Sequence, residues 1–453
     1  MFKKIICVIF SIILTVSLLS VPVNAYTPDT FDIDAEGAML VNMDTGDVLY
    51  KKNADKKLYP ASLTKLMTAY VLYKNTSDLD KEILTVSEYA INSLQGTDSS
   101  TGGLKIGEQL TARQMLYVLL LSSANEGANA IAEHVSGNID VFCEKMNQQA
   151  AELGMTGTHY ANAHGLHDPM HYTTVSDMHK LTTAFLEVPE LKEVVYSTKY
   201  KLEATNKSQA RTFTTTNFML LNNGQKCAAE KYKGQAYYYK YAKGVKTGYT
   251  DSAGRCLITT AQKNGYNYMC IIMNSPVYED GKKIRIEFGD TKALYEWAFE
   301  KFEYRTVLNT DEIIGEAPVE LAWDTDYVSV IPSESLTAIV PKKSDNSTLG
   351  LDINWYKDSY KAPIKKGDVM GECNITYAGE VLGTVNLIAA QDVKRSTLMY
   401  IGDSAKKVSS AVFGSKVFLI IVIIILAIIL AFLISLVILN SPKHKKKKKN
   451  RRY

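Results

Sequence analysis

The chain has 453 residues and a net charge of +3, with 46% hydrophobic and 22% charged residues. This length and balance support two domains with sizeable cores, and exclude both a small disulfide-stapled fold and an intrinsically disordered chain. The first 25 residues carry +2 and the last 14 carry +8, which leaves the rest of the chain at −7. Neither a polyanion-binding surface nor a nucleic-acid partner is indicated.

Lys3 and Lys4 precede an apolar run from Ile5 to Leu19 and the small-x-small site Val23-Asn24-Ala25, which reads as a secretory signal over residues 1–25. A hairpin from Ala38 through the turn Asp44-Thr45-Gly46 to Tyr50 opens the next region. Helical spacing of apolar residues then predicts helices over Ala61–Lys74, Ala112–Leu121, Ala128–Val135 and Ile139–Leu153. After Val245 the pattern becomes strands, Gly254–Ala261 and Tyr266–Asn274, joined by the turn Asn264-Gly265 and followed by a helix over Ile284–Phe302. The order implies an α/β (α+β) domain over residues 26–302, one sheet flanked by helices.

Short β-type runs at Tyr327–Ile331, Leu336–Val340 and Val381–Leu387 predict a small all-β domain over 306–392, and 393–416 form a juxtamembrane linker with no assigned structure. Residues 417–439 carry no charge and are long enough to cross a bilayer as one helix. Eight basic residues crowd the tail, 440–453, and predict that this end is cytoplasmic and the large domain outside.

Cys7 leaves with the signal, and the other five cysteines show no metal-ligand spacing. Across the Asn-Gly hairpin, Cys270 pairs with Thr259, which puts Cys256 and Cys270 on opposite faces of the sheet as buried hydrophobes rather than a disulfide. The Asn223–Lys243 segment, rich in tyrosine, is expected to be a solvated insertion near the strand that begins at Val245.

Three short motifs carry the chemistry: Ser62-Leu63-Thr64-Lys65, Ser123-Ala124-Asn125 and Lys246-Thr247-Gly248. Ser62 and Lys65 stand one helical turn apart behind Pro60, which puts an amine beside a hydroxyl. That amine acts as a base only when neutral, so Lys65 requires burial and a second cation nearby, the expected role of Lys246. Ser123 and Asn125 sit at a helix junction suited to a cleft wall. Lys246 and the Thr247 hydroxyl open a strand that can pair with an extended peptide and meet an anion, and Gly248 allows close approach of a ligand backbone. The decoys Ser404/Lys407, Ser136-Gly137-Asn138 and Ser344-Asp345-Asn346 lack this context; Gly137 reads as a left-handed helix cap.

The ordered set resembles the penicillin-recognising serine peptidases and β-lactamases, and among them the low-molecular-mass penicillin-binding proteins, the serine-type D-alanyl-D-alanine carboxypeptidases. The stretches Pro60–Thr68, Ala163-His164-Gly165-Leu166 with His171–Thr174, Gly244–Thr250 and Ala362–Asp368 are similar to that family as well. The resemblance implies that Ser62 attacks the carbonyl between two terminal D-alanines of a wall peptide. In this reading Lys65 is the base, Ser123 relays the proton to the leaving amine and Asn125 holds the acylated peptide. Lys246 and Thr247 meet the free carboxylate, and the backbone N–H groups of Ser62 and Tyr249 form an oxyanion hole. Several relatives carry histidine where Tyr249 stands.

No cofactor is implied, and the cluster His164, His167, Asp168, His171 is read as a loop rather than a metal site. The partners implied are stem peptides ending in D-Ala-D-Ala, β-lactams as covalent inhibitors, and the plasma membrane through the C-terminal helix. The alternatives are a serine β-lactamase, disfavoured because no Glu-x-x-Leu-Asn occurs, and a membrane-tethered wall-peptide binder with vestigial catalytic residues.

Overall fold

The computed structural model describes residues 32–377, 380–413 and 416–439. The expected signal over 1–25 and the basic tail over 440–453 lie outside the described residues. The chain divides into two units, one running to Arg305 and including Ile339–Asp345, the other made of Thr306–Ala338 and the residues from Asn346 onward.

In the first unit, β1 (Gly37–Asn42) and β2 (Val48–Lys52) form the expected opening hairpin. With β3 (Ala242–Thr250), β4 (Gly254–Lys263) and β5 (Tyr266–Ser275) they make one antiparallel sheet in the order β2-β1-β5-β4-β3. The outer strand is β3, so the backbone groups on its free side are open to a ligand.

One face of the sheet packs on α1 (Thr64–Asn75), α2 (Ala112–Leu121), α3 (Asn125–Ser136), α4 (Ile139–Glu152), α5 (Val175–Leu186) and α6 (Pro189–Tyr196). The other face packs on α7 (Ile286–Lys301). Cys256 belongs to the first core and Cys270 to the second, and Cys270 pairs with Thr259, as the two-residue period of the hairpin requires. Gly137 caps α3 with a φ of 78°, and Asn138 caps α4 by accepting from Val141 N–H, so the Ser136 triplet is helix punctuation.

The segment Asn223–Lys243, expected as a solvated insertion, is exposed along most of its length but turns several tyrosines inward. Tyr232, Tyr237 and Tyr239 are buried against α7, with Tyr237 on Phe288 at 5.2 Å and Tyr239 stacked on Tyr295 at 6.0 Å. The Tyr232 hydroxyl donates to Asp290 Oδ1 at 2.8 Å, and Gly289 leaves room for the Tyr232 ring, since a Cβ there would lie 2.2 Å from it. Tyrosine hides large apolar area while keeping one polar handle, so a largely exposed loop still adds side chains to the core.

In the second unit, β6 (Gly315–Glu320), β7 (Tyr327–Pro332), β8 (Gly350–Trp355), β9 (Tyr360–Lys361), β10 (Val369–Tyr377) and β11 (Glu380–Ala389) form a sheet in the order β8-β10-β11-β7-β6-β9. Only the β6–β9 edge is parallel among its pairs of described register.

The stretch left without structure contains α8 (Thr397–Phe413). Leu398, Ile401, Ala405 and Val408 share one face of it, a stripe that Gly402 and the interspersed serines obscure in the sequence. Ser404 and Lys407 lie on this helix, where Lys407 pairs with Asp403 at 2.8 Å and builds no site with the serine. α9 (Lys416–Leu439) is long and apolar enough to span a membrane.

Candidate active site

Pro60 ends the incoming strand-like segment, and a 3-10 turn over Ala61–Leu63 leads into α1. Ala61 has a φ of 48° and Ser123, across the cleft, a φ of 60°. Left-handed backbone at two non-glycine residues costs about 1–3 kcal/mol each, and such strain is characteristic of functional sites.

Lys65 is fully buried, with its Nζ 2.9 Å from Ser62 Oγ, 2.6 Å from Asn125 Oδ1 and 2.6 Å from the His164 carbonyl. Two of these partners are pure acceptors and consume two N–H donors. Once deprotonated, the amine has two N–H bonds for these two acceptors and one lone pair for the Ser62 hydroxyl. Burial, then the neighbouring Lys246 cation, holds the Lys65 pKa well below its ordinary value, against an opposing pull from Glu126.

Lys246 is also buried, and its Nζ donates to Ser123 Oγ at 3.0 Å and to the Thr247 carbonyl at 2.9 Å. Burial lowers its pKa to about 7. The structure thus brings all three motifs together around one cleft of about 450 Å³, lined by Ser62, Ser123 and Thr247 through Tyr249. Asn125 joins two parts of it, accepting from Lys65 and donating through Nδ2 to Ser99 Oγ at 3.0 Å.

Gly248 makes room within the protein: a Cβ there would meet the Pro60 carbonyl at 3.1 Å and Ala61 Cβ at 3.3 Å, so the strand lies directly against the Ser62 turn. Tyr249 donates from its hydroxyl to Asp251 Oδ1 at 2.5 Å and carries the Arg255 guanidinium over its ring at 4.4 Å.

The histidine cluster buttresses the nucleophile. His171 Nδ1 accepts from Ala161 N–H, which leaves Nε2–H to donate to Thr64 Oγ1 at 2.7 Å, and Thr64 in turn donates to the Ala61 carbonyl at 2.8 Å. Burial pushes the pKa of His171 and of His164 down to about 3, so both remain neutral props. His167 packs edge-on against Tyr59 at 4.6 Å.

Several cleft residues have no motif to announce them. Thr216 Oγ1 lies 2.5 Å from Thr247 Oγ1, and Arg255, Arg285 and Glu287 line the cleft beyond it. Arg255 faces Tyr249 across the β3–β4 ladder, a pairing that counting back from the tight turn at Thr250–Gly254 would have found. Arg285 lies over the Phe218 ring at 4.5 Å. Glu287 is buried with Oε2 lacking a hydrogen-bond partner, and desolvation pushes its pKa up to about 7 against the pull of Arg255.

Residues 23–277 match the family model of D-alanyl-D-alanine carboxypeptidase, and residues 302–395 match that of the penicillin-binding protein 5 C-terminal domain. D-alanyl-D-alanine carboxypeptidase DacF of Bacillus subtilis is 28% identical over 367 residues, 80% of this chain and 87% of that protein. DacC of Escherichia coli is 27% identical over 375 residues, 81% of this chain and 86% of that protein. The crystal structure of penicillin binding protein 5 from Haemophilus influenzae aligns with a TM-score of 0.58 at 26% identity, covering 80% of this chain and 98% of that one. Half of the chain and more thus carries the sequence of one family around a serine–lysine site, and the chain belongs to the D-alanyl-D-alanine carboxypeptidase family of serine peptidases.

Proposed function

We propose that this D-alanyl-D-alanine carboxypeptidase removes the last residue of peptidoglycan stem pentapeptides through an acyl-enzyme on Ser62. The observation that carries this reading is the buried Lys65 amine 2.9 Å from the Ser62 hydroxyl, with its pKa lowered by burial and by Lys246.

As Ser62 Oγ bonds to the scissile carbonyl carbon, its proton passes to Lys65. The C–N bond then breaks as Ser123, hydrogen-bonded to Lys246, gives its proton to the departing D-alanine amine and takes up the one carried by Lys65, which leaves Ser123 a hydroxyl and Lys65 neutral. Backbone N–H groups of Ser62 and of Tyr249, on the open edge strand, hold the oxyanion, a contact commonly worth about 3 kcal/mol. Lys246 and Thr247 receive the free carboxylate, and Asn125 holds the amide of the acylated peptide. Water then cleaves the ester, freeing the shortened peptide and restoring the Ser62 hydroxyl. β-Lactams enter the same acylation and are released slowly.

The same proposal places the catalytic unit outside the cytoplasmic membrane, tethered by one pass through α9. Its support is the one helix among the described residues that is long and apolar enough to span a membrane, followed in the sequence by a run of lysines and arginines. The test is intact-protein mass spectrometry with a penicillin, beside Ser62→Ala, together with D-alanine release from a wall pentapeptide. A long-lived adduct lost in the variant, with D-alanine released, is expected. Drug consumed without an adduct would make the protein a β-lactamase, and neither adduct nor turnover would make it a binder.

A further inference from the structure

A second hollow of about 450 Å³ adjoins the catalytic cleft, and Ser252 lines both. The Tyr59–His167 edge contact forms the partition, with His167 on the cleft side and Tyr59 on the side of the hollow. Its floor is fixed by backbone: Leu58 and Thr173 exchange two hydrogen bonds of 2.8 Å, which locks the segment carrying Lys57 and Tyr59 beside the one carrying Tyr172.

Two lysines line the hollow, and they differ. Lys56 is neutralised by Glu36 at 2.5 Å, whereas Lys57 lies with its Nζ 4.1 Å from the centroid of the Tyr172 ring and has no carboxylate partner among the described residues. The hollow therefore presents a cation that lies over the Tyr172 ring without a carboxylate partner among the described residues, with Tyr59 also in the lining.

Strand direction decides which part of a substrate reaches it. A peptide whose C-terminal carboxylate sits at Lys246 and Thr247 and which pairs antiparallel with β3 runs backward along that strand. Its upstream residues pass Tyr249 and Thr250 and leave at Ser252. Ser252 is where the second hollow begins.

We propose that this hollow is a substrate subsite, in which Lys57 meets a carboxylate borne by the peptide upstream of the scissile bond while Tyr59 and Tyr172 cover the adjoining aliphatic chain. This rests on the carboxypeptidase reading above and adds a preference for acidic peptides to it. Within the hollow an amine-bearing group is disfavoured, because the one carboxylate among its lining residues, Glu36, is already held by Lys56 and by Asn274.

The test uses the full-length protein and synthetic peptides ending in D-alanyl-D-alanine with glutamate two, three or four residues upstream of the scissile bond. Each is paired with its glutamine counterpart, and a short N-acetylated D-alanyl-D-alanine dipeptide serves as reference. For at least one glutamate peptide kcat/KM should exceed that of its glutamine pair by about 1.5- to fivefold at low salt, the range of one exposed ion pair. Lys57→Ala should abolish that advantage without changing turnover of the reference dipeptide, and Lys57→Arg should retain it. A wild-type enzyme that cleaves every peptide with no glutamate preference, or a preference that survives in Lys57→Ala, overturns the subsite and leaves the carboxypeptidase reading standing. A wild-type enzyme that cleaves none of them overturns both.

Discussion

Replacing Gly165 by alanine separates the geometry of the nucleophile from its chemistry, because the position touches neither substrate nor proton path. Gly165 has a φ of 90°, and a Cβ built there would lie 1.9 Å from the Ala61 carbonyl oxygen and 2.4 Å from its carbon. Cβ contacts below 3.0 Å are essentially never seen, so the Gly165 loop and the Ala61–Ser62 turn must separate by about 1.1 Å. The same movement pulls the His164 carbonyl from Lys65 and strains the bond from Thr64 to Ala61. Misplacing reacting groups by about 1 Å costs about 100-fold in rate, or about 2.7 kcal/mol. Gly165→Ala should therefore acylate with a fluorescent penicillin about 100-fold more slowly, measured by stopped flow. Gly137→Ala is the control: its φ is 78° but nothing lies within 4 Å, so it should lose about 1 kcal/mol of stability and acylate normally. Acylation by Gly165→Ala within about threefold of wild type would refute the account of how the loop holds the Ser62 turn.

Two further outcomes follow from the buried charges. The Lys246 cation depresses the Lys65 pKa, so in Lys246→Met that pKa should rise and the acid limb of the acylation–pH profile should move to higher pH; a limb that stays or moves down contradicts the pairing. Glu287 has a folded pKa near 7 against an ordinary 4.5, so the unfolded chain binds fewer protons between these values. Its contribution is full below pH 4.5 and is lost as pH rises toward 7, by about 3 kcal/mol at most, a slope that chemical denaturation should show in wild type and not in Glu287→Gln.

The three motifs and the helices and strands that carry them were legible because each couples a local signal to a local structure. Pro60 starts a turn, Ser62 and Lys65 share a helical face, and the Asn264-Gly265 turn sets the register that separates Cys256 from Cys270. The Tyr-rich segment was read as a solvated insertion because loops tolerate insertion, whereas the burial of its tyrosines depends on the ring faces of α7 and on the space left by Gly289. α8 escaped because glycine and serine dilute its stripe below what a linear reading registers.

The sequence by itself placed a serine, a lysine and a strand start in an ordered set of motifs, and its resemblance to the serine D-alanyl-D-alanine carboxypeptidases implied a peptide substrate with a free carboxylate. Only the tertiary structure decided the protonation and the surroundings. The Lys65 pKa is lowered because folding buries it beside Lys246, and its amine is oriented because Asn125 and His164, 60 and 99 residues away along the chain, accept from it. Arg255, Arg285, Glu287 and the hollow at Lys57 likewise join the site through strand register and loop packing. Electrostatic environment depends on distance in space, which the order of residues along the chain does not encode locally.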